Sequence, residues 1–224
     1  MHESDLIRIG HGGASALAPG NTLASFDAAL DVGIDMVEFD VRAHRGELVL
    51  AHTLVDARRR ACVRLSEALA HLSARRFGDV GINLDVKHVG CEAALLDGLR
   101  AAGLLDRALI SSQVACVLDR VREREHRVLV GISVGGQVAR MSRRWLRWRA
   151  QVLDGLAARR WDALMAQHRL IDLDLLSEVV ARDGRLYAWT VNRREAIMSL
   201  RGLGVHGITT ADPRLFGPLP GLPL

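Results

Sequence analysis

Short apolar runs alternate along this chain with longer stretches of helical periodicity. The apolar runs fall at residues 6–10, 36–41, 82–86, 108–112, 128–133, 163–167, 186–191 and 207–210. Each has the length of a buried strand. Between most of them lie some 12 to 25 residues with apolar positions three or four apart. Leu23, Phe26 and Leu30 follow a Pro19-Gly20 turn in this way. Asn21 or Thr22 can cap that helix, and Gly33 can end it. Leu95, Leu99 and Leu104-Leu105 make a similar pattern, as do Leu175, Val179 and Val180. A strand-then-helix unit repeated eight times predicts parallel strands and an α/β fold, a TIM-type (β/α)8 barrel. At 224 residues the chain reads as one such domain over 1–224.

A ninth apolar run, 47–52, does not fit as a barrel strand. Only residues 43–46 separate it from the second strand, and a parallel crossover needs about a dozen residues. Arg45-Gly46 can instead turn the chain back as a short hairpin arm. The chain then leaves the top of the barrel after Asp40 and returns to it at His52, at the end where barrel enzymes hold their chemistry.

Residues 140–160 carry seven arginines, one acid, Trp145 and Trp148. Met141, Trp145, Trp148 and Val152 share a helical face, which predicts an outer barrel helix with a solvated basic side. The same pattern allows weak contact with a membrane surface. The tail GPLPGLPL predicts an irregular surface strap. No apolar run reaches about 18 residues, so no membrane span is expected. A strand-like run from Leu6 leaves no room for a signal peptide. Cys62, Cys91 and Cys116 are scattered and odd in number; they read as buried thiols in a reducing, cytoplasmic compartment. The formal charge of +4 suits an anionic substrate or surface. Aromatic content of 4% and the absence of a recognition motif argue against nucleic acid.

Several charged residues break into the apolar runs. Glu38 and Asp40 stand two apart on one strand, so both point to the same face. Asp85 and Lys87 repeat that spacing on the next barrel strand. Lys87 is the only lysine among thirty basic side chains, which suggests that its ammonium group is needed. Three carboxylates facing one barrel mouth repel unless a cation lies among them. Oxygen ligands favour a hard divalent metal, Mg²⁺ or Ca²⁺. His11 follows the first strand and precedes Gly12-Gly13, whose freedom allows close backbone approach. His11 and His52 beside a metal fit a general base and a general acid. His88 and His168 are second choices by their places after strands.

Taken in order, the motifs resemble those of the glycerophosphodiester phosphodiesterase family, barrel enzymes of the phospholipase C-like group. They read His11-Gly12-Gly13, Pro19-Gly20-Asn21-Thr22, Glu38-Phe39-Asp40, His52-Thr53, Asp85-Val86-Lys87, Trp189-Thr190-Val191-Asn192 and Thr210-Ala211-Asp212-Pro213. The resemblance runs from about residue 7 to 216. It implies that Glu38, Asp40 and Asp85 hold the metal and that His11 and His52 are the acid–base pair. It further implies that Lys87 stabilises phosphoryl charge and that Trp189 walls the site for the alcohol part. The implied reaction is metal-dependent hydrolysis of a glycerophosphodiester to glycerol 3-phosphate and an alcohol.

The departures from the family pattern matter. Gly12 replaces an arginine, and losing a charge-assisted phosphate contact costs about 1.5–3 kcal/mol. Arg42 or Arg45 could substitute for it. Asp85 is a methylene shorter than the usual glutamate, and Gly20 and Ala211 each replace an acid. The connection after His52 lacks the larger substrate-covering insertion of many members, which implies a more open site. A lysophospholipase D-type activity on lysophospholipids is therefore one alternative. A barrel that binds phosphodiesters without cutting them is another.

Overall fold

The computed structural model describes residues 6–59, 61–136 and 142–217. In chain order the elements begin with β1 (Ile7–His11), α1 (Leu23–Asp31), β2 (Met36–His44), β3 (Glu47–Leu50), α2 (Leu54–Arg59), α3 (Leu65–Leu72), β4 (Gly81–Val86) and α4 (Glu92–Ala101). They continue with β5 (Ala108–Ser112), α5 (Ala115–Arg124), β6 (Leu129–Val134), α6 (Arg143–Ala157), β7 (Ala163–Gln167), α7 (Leu173–Val180), β8 (Arg185–Trp189), α8 (Arg194–Leu203) and β9 (Gly207–Thr210). Strands β1, β2 and β4 to β9 pair in parallel, and β1 joins both β2 and β9, so the sheet closes into an eight-stranded barrel. β3 alone is antiparallel, paired with β2 as the expected hairpin arm.

Alternation along the strands sorts the core into two compartments. Val37, Phe39 and Val41 of β2, with Ile82, Leu84 and Val86 of β4, pack outward under the helices. Ile9, Leu109, Met165 and Tyr187 fill the barrel interior. The intervening residues Glu38, Asp40, Asn83 and Asp85 share the interior face, because Glu38 stands in register with Asn83 and Asp40 with Asp85.

Several boundaries differ from the sequence expectation. β1 includes His11, and β2 runs on to His44 because its end is paired by the returning hairpin. Thr22, not Asn21, caps α1, with its hydroxyl accepting from the Ser25 N–H at 3.2 Å. The connection after His52 contains helix α2, started by a reciprocal cap between Thr53 and Asp56. Only Cys91 of the three thiols is buried; Cys116 lies on the exposed side of α5.

Helix α6 turns Trp145 and Val152 into the core, with Trp148 partly buried beside them. Its flanking arginines reach neighbouring helices: Arg149 pairs with Glu178 at 2.8 Å and Arg160 with Asp119 at 2.6 Å. Met141 and residues 218–224 of the tail lie outside the described residues. Among the described residues, no helix is long and apolar enough to cross a membrane.

Candidate active site

His11, Glu38, Asp40, His52, Asp85, Lys87 and Trp189 all line one cavity of about 260 Å³ at the C-terminal ends of the strands. His11 ends β1, in register with Glu38. Two glycines follow at φ +56° and +80°, where side chains are strained. That turn aims the Gly12 N–H at Glu38 Oε2, 3.0 Å away. Gly13 lies so close to α1 that a Cβ would stand 2.5 Å from the Ser25 carbonyl oxygen.

Asp40 is the most heavily bonded group. Its Oδ1 accepts from Lys87 Nζ at 2.7 Å and faces His52 Nδ1 at 3.2 Å. Its Oδ2 accepts from Asn21 Nδ2 at 2.8 Å, and Asn21 Oδ1 takes the Asp40 N–H in return. Asn21 reaches this position from a left-handed backbone at φ +61°, a conformation that asparagine tolerates. Lys87 also donates to Asp85 Oδ2 at 2.5 Å, so its ammonium bridges two of the three carboxylates.

These contacts push the titrations apart. Burial alone would raise Asp40, but the His52 hydrogen bond and the Lys87 charge outweigh it and hold Asp40 well below the usual carboxylate range. Burial pushes Glu38 well up, reinforced by the charges of Asp40 and Asp85. Asp85 is also raised by burial, against the pull of Lys87. Lys87 is raised because Asp85, Asp40 and Glu38 together exceed its own desolvation. Burial lowers His11, whereas the hydrogen bond to Asp40 raises His52.

One oxygen from each of Glu38, Asp40 and Asp85 lies within 4.8 Å of the others. Asp85 Oδ1 is buried without a hydrogen-bond partner. An all-oxygen donor set with an unsatisfied buried oxygen fits a hard divalent cation.

Other expectations are redirected. Neither Arg42 nor Arg45 lines the cavity. Arg42 donates instead to the His52 carbonyl oxygen at 3.1 Å, and Arg45 is exposed in the hairpin turn. His88 accepts the Ala43 N–H at 2.6 Å and braces the hairpin, and His168 lies outside the cavity. Trp189 forms a wall fixed by its indole N–H, which donates to the Met165 carbonyl oxygen at 3.0 Å. The rest of the lining includes Asn83, Ser111, Gln113, Ser133, Met165 and Thr209, which the sequence reading did not single out.

The profile of the glycerophosphoryl diester phosphodiesterase family matches residues 11–57 and 83–215. The chain belongs to this family. It is accordingly a phosphoric diester hydrolase. A curated relative, glycerophosphodiester phosphodiesterase GDPD4 of Arabidopsis thaliana, is 22% identical over 96% of this chain and 73% of its own length. Among solved structures, a chain from Silicibacter pomeroyi DSS-3, provisionally described as a glycerophosphoryl diester phosphodiesterase, superposes with a TM-score of 0.80 at 20% identity. The match covers 96% of this chain and 92% of that one. An Oleispira antarctica phosphodiesterase, solved with the product sn-glycerol-3-phosphate, gives a TM-score of 0.74 at 23% identity over 92% and 93% of the two chains. The profile leaves residues 58–82, from the end of α2 into β4, unmatched.

Proposed function

We propose that this barrel hydrolyses glycerophosphodiesters to glycerol 3-phosphate and an alcohol, with a divalent cation held by Glu38, Asp40 and Asp85. The observation that carries the reading is the meeting of two imidazoles, three carboxylates and the lone lysine in one cavity. A Mg²⁺ or Ca²⁺ ion bound there supplies Lewis acidity to a phosphoryl oxygen.

The remaining work falls to side chains. His11, kept neutral by burial, takes the proton of the attacking oxygen. His52 is held by Asp40 through Nδ1, which leaves Nε2 for the leaving oxygen. Its raised pKa keeps it charged as the proton donor, and an alcohol leaves far more readily than an alkoxide. Lys87 has one ammonium proton left after Asp40 and Asp85, and this proton meets the phosphoryl charge. Trp189 and Met165 give an apolar wall for the glycerol or alcohol carbons.

A second reading, action on lysophospholipids, is favoured by the apolar residues around the mouth. Leu17 after β1, Leu54 and Val55 at the start of α2, and Val89 after β4 are all exposed in the connections at this end. Arg143, Arg144 and Arg147, exposed and without an ion pair among the described residues, stand on the first turns of α6, which follows β6. Such a rim suits an anionic lipid surface.

The products separate the two readings. Glycerophosphocholine and glycerophosphoethanolamine should release glycerol 3-phosphate, whereas a lysophospholipid would yield a lysophosphatidic acid. Co-sedimentation with anionic liposomes, before and after Leu54→Ser and Val55→Ser, tests the rim. Equal binding by the parent and the double variant would remove the lipid reading.

A further inference from the structure

Within the lining, Asn83 is a buried amide. It is 1% exposed and sits on β4 between Glu38 of β2 and Leu109 of β5. Ile9, Leu109, Met165 and Tyr187, also in the barrel interior, form an apolar cluster. Asn83 Oδ1 is buried and has no hydrogen-bond partner. A buried carbonyl oxygen left unpaired costs about 1–3 kcal/mol, so a fold that keeps one has a use for it.

Two further observations locate that use. Asp85, two residues along on the same strand face, carries the second unpartnered buried oxygen of the site, Oδ1. Glu38, in register with Asn83, is bonded through Oε2 to the Gly12 N–H, and no ion pair reaches it among the described residues. Lys87 is committed to Asp40 and Asp85. Glu38 and Asn83 Oδ1 therefore line the cavity without a positive partner among the described residues, and Asp85 keeps one oxygen, Oδ1, unpaired. A substrate hydroxyl has one proton and satisfies one acceptor. A hard cation takes six to eight oxygens, amide carbonyls among them, and satisfies all three at once.

We infer that Asn83 supplies its side-chain oxygen to the divalent cation, as a neutral ligand beside Glu38, Asp40 and Asp85. The inference rests on the metal reading of the site. A neutral fourth ligand adds coordination without adding to the repulsion among the three carboxylates gathered there.

The test is Mn²⁺ binding to the whole chain, followed by electron paramagnetic resonance and calorimetry without substrate. Asn83→Leu removes the oxygen at similar volume, and Asn83→Asp keeps it. Circular dichroism checks the fold of each. Loss of about tenfold or more in Mn²⁺ affinity in Asn83→Leu is expected, with Asn83→Asp binding at least as tightly as the parent. Parent-like affinity in Asn83→Leu overturns the assignment, as does an Asn83→Asp variant that is folded and binds no better than Asn83→Leu. Should Asn83→Leu fail to fold, a folded Asn83→Asp variant that binds Mn²⁺ more weakly than the parent overturns the assignment, and one that binds as tightly or more tightly supports it. Glu38→Gln is the control that separates the two levels. If the parent binds no Mn²⁺, the metal reading itself fails. If the parent binds and Glu38→Gln does not, failure at Asn83 is confined to Asn83.

Discussion

Gly13 stands at φ +80° with the Ser25 carbonyl oxygen where a Cβ would be, 2.5 Å away. Gly13→Ala should therefore cost about 1–3 kcal/mol in backbone strain, before the clash is counted. Urea denaturation measures the loss, and a midpoint equal to the parent's would refute the turn geometry. The two histidines make a second prediction at this scale. His11 is lowered by burial, so kcat/KM should rise with pH through a value below the ordinary imidazole range of about 6.5. His52 is raised by Asp40, so the rate should fall again above that range as His52 loses its proton. His52→Gln should abolish the alkaline limb in whatever activity remains; a limb that persists belongs to another group. Six of the seven singled-out residues were legible because a histidine or a charged side chain interrupts an apolar strand or marks its end; Trp189 came only from the family resemblance. Ser111, Ser133 and Thr209 were not, since small polar residues occur on both faces of strands, and Asn21 was read as a possible helix cap and not as a partner of Asp40. Asn83 was within reach, because it continues the spacing of Asp85 and Lys87 by two.

Elements close the barrel through a few shared contacts, and His206 holds one of them. Its N–H donates to the Leu186 carbonyl oxygen at 2.9 Å, and its own carbonyl oxygen accepts from Ile7 at 3.0 Å. Its ring Nδ1 accepts the Leu186 N–H at 3.1 Å, which requires that nitrogen to be unprotonated. One residue thus ties the starts of β1 and β8 to the approach to β9. Burial, with help from the nearby Arg185 charge, lowers His206 below its ordinary value. A lowered folded-state pKa favours the neutral form, so its contribution is present above about pH 6.5 and is lost as pH falls toward the folded value. Tm should drop between pH 7.5 and 5.5 by less in His206→Gln, which keeps an acceptor and does not titrate; an unchanged drop would show that other groups carry it. All eight barrel strands and the hairpin were readable from apolar runs and connection lengths. Helix α2 was not, because six residues carry no period and its start depends on the Thr53–Asp56 cap. The Asn21–Thr22 choice was likewise undecidable locally, since it turns on Asp40 drawing Asn21 away.

At the scale of the whole molecule, folding brings together carboxylates that repel one another, and a bound cation should return that cost as stability. Added Mg²⁺ or Ca²⁺ at about 100 times its Kd should stabilise the fold by about 2.7 kcal/mol, visible as a rise in Tm. Glu38→Gln removes one of the repelling charges, so its metal-free Tm should equal or exceed the parent's while the metal-dependent rise shrinks. An equal rise in both proteins would place the ion elsewhere. The barrel was legible at this scale because repetition fixes topology, whereas the mouth's chemistry depends on which strands become neighbours. The measurement that bears most directly on the proposed reaction is release of glycerol 3-phosphate from glycerophosphocholine with Mg²⁺, Ca²⁺ or EDTA, run beside His11→Ala and His52→Ala. The expected result is metal-dependent product from the parent, abolished by EDTA and reduced by about 10²–10⁴-fold in each variant. Product that survives EDTA, or variants as fast as the parent, would contradict it.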